Sequence, residues 1–146
     1  MTNAFSPAQR GTTIATLWLF AILNTLFRDI HELVVASTIE QILAGRMNGN
    51  PVTEEALFAG AFAVELVLLA MLLSRILKPA HARTVNLVVA PIAMLGTFIV
   101  PPVDMDDHFF AVVVLATFTA IFALAWTWQT QPQDLGSTNG QKAARS

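Results

Sequence analysis

The 146-residue chain has no cysteine, which excludes thiol–disulfide exchange, iron–sulfur clusters, thiolate zinc sites and covalent c-type haem. It is also poor in charge. Charged residues make up 12% of the chain against 55% hydrophobic, too little polar surface to cover a soluble globule of this size. The net charge of −2 comes with no basic stripe, so no nucleic-acid partner is expected. No set of side chains has the spacing of an established metal or cofactor site, and no metal and no cofactor are expected.

What the chain does have is apolar length. With a mean hydropathy of +0.61, it carries four stretches long enough to cross about 30 Å of hydrocarbon, at about 12–36, 55–77, 82–100 and 107–129. The lipid bilayer is therefore the first expected partner. The expected fold is all-α, a membrane-embedded antiparallel four-helix bundle over 12–130, with disordered tails at 1–11 and 131–146 that show no apolar periodicity. Local signals mark the ends of the spans. Thr53 with Glu54 and Glu55 reads as a helix start; Arg75, Lys78 and Pro79 read as a stop; Asp106 or Asp107 is expected to cap the last helix. Pro91 should bend the third span. Small residues are expected to let the helices approach: Ala56, Gly60 and Ala63; Ala90, Ala93 and Gly96; Ala116, Ala120 and Ala123.

Basic residues fix an orientation. Arg10, Arg75, Lys78, Arg83, Lys142 and Arg145 fall on one side of a four-span path, against Arg28 and Arg46 on the other. This places both termini in the cytoplasm of a cell (inner or plasma) membrane. Trp126 and Trp128 at the inner end of the last span fit an interfacial aromatic belt.

Several segments carry a family resemblance: Leu17-Trp18-Leu19-Phe20 with Leu23-Asn24 and Asp29, Leu73 to Lys78 followed by Ala82 to Asn86, and Ala125 to Trp128. Together they resemble an uncharacterised family of small bacterial four-span integral membrane proteins, a domain of unknown function. That family is loosely similar in architecture to the DoxX-like bundles, some of which are linked to quinone-dependent oxidation. The resemblance implies the fold and no activity, and Arg28 and His31-Glu32 lie outside its pattern.

Ionisable groups inside a bilayer need a partner or a purpose. Asn24, Arg28, His31 and Glu32 fall at i, i+4, i+7 and i+8, one polar stripe on the first span. Glu65 sits in an apolar run about 15 Å into the second span, at a depth that matches Arg28, and the two are expected to pair. These five residues are the candidate ligand-binding group. No catalytic residue is assigned. Asp104, Asp106, Asp107 and His108 form a second cluster, read as helix capping rather than metal binding. Asn86 is expected to hydrogen-bond between helices. The expected function is a small-ligand-binding or transport-type bundle whose interior holds a small polar or amphipathic ligand, as a homo-oligomer or within a larger membrane complex. The alternatives are a quinone-interacting oxidoreductase subunit and a structural or accessory subunit.

Overall fold

A computed structural model describes residues 6–47, 49–99, 102 and 104–128. The expected C-terminal tail and the far ends of the third and fourth spans, at Val100 and Gln129, lie outside the described residues. Among the described residues the fold is all-α apart from one minimal hairpin. In order it forms α1 (Pro7–Glu32), α2 (Ala36–Leu43), β1 (Arg46–Met47), β2 (Asn50–Pro51), α3 (Glu54–Ile76), α4 (Pro79–Gly96) and α5 (Met105–Trp126).

Several boundaries have a local chemical cause. The first helix begins ahead of Thr12 because Ser6 and Gln9 form a reciprocal capping box: Gln9 N donates to Ser6 Oγ at 3.3 Å and Ser6 N to Gln9 Oε1 at 2.8 Å. Thr53 caps α3, accepting from Ala56 N at 3.2 Å, as expected. Pro79 does two jobs. It ends α3 and also opens α4 as its first residue, where a missing amide costs nothing, so α4 starts three residues before the expected Ala82. α4 then continues through Pro91. At α5 the expectation is corrected: the cap is Asp104, which accepts from Asp107 N at 3.0 Å, while Asp106 and Asp107 occupy the first turn.

The segment between α1 and α3 is structured. α2 leads into the antiparallel pair Arg46↔Pro51 and Met47↔Asn50, and Gly45 and Gly49 take positive φ values of 69° and 78° that glycine adopts without strain.

The four long helices close a ring. α1 packs on α3 and α5, and α4 packs on the same two. Gly11 lies beside Ser74, and Arg28 beside Asp107, so sequence neighbours run antiparallel. One end carries Arg10, Arg75, Lys78 and Arg83 and is here called the basic end; the other carries Arg28, Asp104 and Asp107 and is called the acidic end. α1, α3 and α5 are long and apolar enough to cross a membrane. α4 has 18 residues and bears His81, Arg83 and Asn86 in its first half.

The core lies toward the basic end, where Ile14, Trp18, Ala70, Ala82, Ala90, Phe118, Ile121, Ala125 and Trp128 are buried together. The Trp18 and Phe118 rings meet at 5.3 Å. The small residues that allow close packing are mostly not those expected. Ala90 is buried, but Ala56, Gly60, Ala63, Gly96, Ala116 and Ala123 are exposed, and Gly11, Ala15, Ala21, Ala70, Ala82 and Ala125 take the role. Gly11 is the tightest: a Cβ there would stand 2.6 Å from Ser74 O. Trp126 is exposed as a belt residue would be, whereas Trp128 is buried against the core.

Candidate functional site

The polar stripe of α1 meets the first turn of α5 at the acidic end. Asp104 starts α5 where it does, and the antiparallel pairing of first and last helices then brings Asp107 against Arg28. Arg28 Nε stands 3.1 Å from Asp107 Oδ1, Nη2 3.4 Å from Glu32 Oε1, and Nε 3.8 Å from Asp29 Oδ1. The Asp107 side chain is 6% exposed and that of Arg28 24%, so the pair is shielded but not sealed. Further out, His31 Nε2 lies 3.5 Å from Asp106 Oδ2, and a ring nitrogen of His108 meets the Asp104 carbonyl.

Helix electrostatics favour this arrangement. Arg28 and His31 stand in the last two turns of α1, where the helix end is negative; Asp106 and Asp107 stand in the first turn of α5, where it is positive. Asp104, just outside α5, has its carboxyl held below the usual value of 3.8. The main cause is the Asp107 backbone N–H donating to it, followed by its hydrogen bond with Asp106. Chemically the cluster is a carboxylate-rich surface: three acids, Asp29, Glu32 and Asp107, stand against Arg28, and two more, Asp104 and Asp106, stand further out beside His31 and His108. Such a surface suits a cation or a hydrogen-bond donor.

The five sequence candidates are not gathered into one site. Arg28, His31 and Glu32 are in the cluster. Asn24, partly buried, donates to Phe20 O of its own helix at 2.8 Å. The expected Arg28–Glu65 pair does not form, because Glu65 is on the exposed side of α3 and Arg28 reaches Asp107 instead. The buried face of α3 runs through Leu66, Val67, Ala70 and Ser74, and at 100° per residue Glu65 falls on the opposite side. Asp107 is the functional candidate that sequence reasoning missed. The signal was available: in an up-and-down chain the start of the last helix sits beside the end of the first. Among the described residues no three His, Asp or Glu side chains gather as a metal site.

The basic end holds a separate polar network. Trp18 Nε1 donates to Asn86 Oδ1 at 2.6 Å; Asn86 Nδ2 donates to Ser74 Oγ at 2.8 Å and to Ala82 O at 2.7 Å; Ser74 Oγ donates to Ala70 O at 2.6 Å. Asn86 thus joins α1, α3 and α4, which is the interhelical role expected of it. Two arginines finish α5. Arg10 Nη1 reaches Leu124 O at 3.4 Å and Thr127 Oγ1 at 3.3 Å, and Arg83 donates to Ala125 O at 3.2 Å and Trp126 O at 3.4 Å. They satisfy carbonyls that a helix C-terminus leaves open. A shallow depression of about 340 Å³, lined by Ala8, Gln9, Thr12 and Thr13, lies at this same end, away from the acidic cluster.

Comparison with curated proteins and with solved structures gives no match. The family comparison does: residues 5–135 match the family of unknown function DUF6326, and the chain belongs to that family.

Proposed function

We propose that the chain is a four-span protein of a bacterial cytoplasmic membrane, an antiparallel four-helix bundle with both termini inside, whose acidic end binds a small cationic or amphipathic ligand from the outer face. Three helices of spanning length support the membrane part. α4 is the fourth span, kept in the bilayer by partners for its polar residues: Asn86 is bonded within the bundle and Arg83 to the end of α5. The six-to-two distribution of basic residues supports the orientation. Impermeant thiol reagents should label intact cells carrying Met47→Cys and spare those carrying Ser6→Cys; the reverse would sink the orientation.

The observation that carries the binding part is the shielded Arg28–Asp107 pair with Glu32 beside it. Charged groups are placed toward the end of otherwise apolar helices at a cost, and carboxyl groups outnumber the one arginine. Binding is measured as thermal stabilisation of the purified protein by a series of alkylamines, matched alkyl alcohols and matched carboxylates. The amines should stabilise the wild type and fail with Glu32→Gln plus Asp107→Asn. Equal stabilisation by carboxylates, or by amines in the double variant, would overturn it. A second reading, an accessory subunit of a membrane complex, is favoured by the outward apolar side of α3, where Leu57, Phe58 and Phe62 are exposed.

A further inference from the structure

The basic end carries Arg10, Arg75, Lys78 and Arg83 and, among the described residues, no acid. The nearest carboxyl group along α3 is that of Glu65, ten residues and roughly 15 Å from Arg75. The four cations divide into two kinds. Arg10 and Arg83 are turned into the fold and bonded to the end of α5. Arg75 and Lys78 are exposed, and among the described residues their side chains have no hydrogen-bond or ion-pair partner. Helix electrostatics do not make up the difference. Arg75 gains from the negative end of α3, but Lys78 stands just ahead of α4, at the positive end of that helix, and the first turn of α4 has no acid. Two open cations three residues apart are left at the corner between α3 and α4 without a counter-charge.

We propose that this corner binds the phosphate of an anionic phospholipid of the inner leaflet, held by Arg75 and Lys78, with the acyl chains along Leu69, Leu72 and Ile76. This binding rests on the membrane reading given above, with the basic end in the cytoplasm. The occupant follows from charge and from depth together. The corner joins two spans through Leu77 and Lys78 alone, so both helices hold it at the level of the lipid headgroups. An arginine fork and a lysine ammonium both suit phosphate oxygens, and their long stems let the charges stay at the interface while the helix remains in hydrocarbon. Leu69, Leu72 and Ile76 fall at i, i+3 and i+7, an outward row 50%, 49% and 64% exposed that leads up to the two cations. An acidic soluble partner could meet the cations, but it could not follow that row below the surface. A lipid with a negative headgroup meets both. Each basic side chain near an anionic membrane surface is worth about fivefold in binding.

The test is native mass spectrometry of the full chain released from nanodiscs of equal phosphatidylglycerol and phosphatidylcholine, with thermal unfolding in neutral detergent as the check on folding. The wild type should retain phosphatidylglycerol at least about tenfold over phosphatidylcholine. Arg75→Gln with Lys78→Gln should remove that preference and leave the melting temperature in neutral detergent unchanged, because neither side chain bonds within the described fold. Arg83→Gln should do the reverse, lowering the melting temperature as α5 loses a cap while keeping most of the lipid preference. Added phosphatidylglycerol should raise the melting temperature of the wild type and not of the double variant. Equal retention of the two lipids by the wild type overturns the proposal, and is the result expected if an acidic protein or another part of the chain meets the cations. A preference that survives in the double variant, or that Arg83→Gln removes as completely, also overturns it. So does stabilisation by inorganic phosphate as large as that by phosphatidylglycerol, which would assign the corner to a soluble anion. A chain that does not enter nanodiscs, or that fails the thiol-labelling experiment on Ser6→Cys and Met47→Cys, removes the membrane reading as well; one that passes both and shows no lipid preference removes this proposal alone.

Discussion

The two ends of the bundle are built by opposite means. At the basic end the polar groups turned into the bundle are neutral or bonded to carbonyls: Asn86 is fully buried with its amide bonded, and Arg10 and Arg83 close the last turn of α5. The backbones touch there, as Gly11 against Ser74 shows. At the acidic end residues 54–65 of α3 are exposed without exception, as are Leu23, Leu26, Phe27 and Ile30 of α1. What joins α1 to α5 there is the Arg28–Asp107 pair, with Phe27 and Phe110 rings 6.2 Å apart. Hydrogen bonds between neutral groups tolerate lipid and fix one arrangement. Ion pairs at a half-open end remain responsive to ions, protons and partners. Close packing is therefore concentrated at the basic end, while the acidic end is left open.

The largest effect should come from Trp18→Ala. It empties the centre of the packed end and leaves Asn86 Oδ1 short of a donor, and it should lower unfolding stability in detergent by about 3 kcal/mol. Asp107→Leu comes next. Removing the closest of the three carboxylates against Arg28 should cost about 2 kcal/mol, less than for a sealed pair because Arg28 is part-exposed and keeps Glu32, and Arg28→Leu with Asp107→Leu should recover much of it. If the double variant is no better than the single, the pair is not what joins the acidic end.

Two glycines give a sharper version of the contrast. Gly11→Ala drives a methyl group into a backbone carbonyl and should destabilise by about 1–3 kcal/mol. Gly60→Ala has nothing within 4 Å of the added carbon and should be neutral or stabilising by up to about 1 kcal/mol. Equal costs would show that the acidic end is as tightly packed as the basic one. The smallest effect concerns pH. Asp104 is held below its usual 3.8, so its contribution to stability is complete above that value and is lost as pH falls through the lower folded value. Asp104→Asn keeps a cap and should flatten the acid side of the stability profile, below the usual carboxylate value.

The long helices were legible because length, apolar content and caps at Thr53, Arg75 and Pro79 act locally. Asn86 was legible too, since an amide in an apolar run has few fates other than bonding across helices. The pairing of Arg28 was not. Matching depth on the next long helix pointed to Glu65, but the contact of Gly11 with Ser74 sets Arg28 roughly level with Leu57, about two turns from Glu65, and the 3.6-residue period turns Glu65 outward while leaving Asp107 inward. The small-residue contacts failed for a related reason. Alanine and glycine are common on every face of these helices, and only the ring of neighbours decides which are enclosed. Gly11 lies outside the expected span because the Ser6–Gln9 capping box starts the helix at Pro7, ahead of the apolar run.

Arg10 finds its acceptors 114 and 117 residues further along the chain, at Leu124 and Thr127. Arg10 on α1 therefore cannot reach these acceptors until α5 has been made. The α3–α4 hairpin, joined through Leu77 and Lys78 and pinned by Ser74 and Asn86, has its bonds within reach as soon as it is synthesised. Assembly in this order would begin with α3 and α4 and finish by bringing α1 and α5 together, and a chain cut short before α5 would leave Arg10 without the acceptors at Leu124 and Thr127.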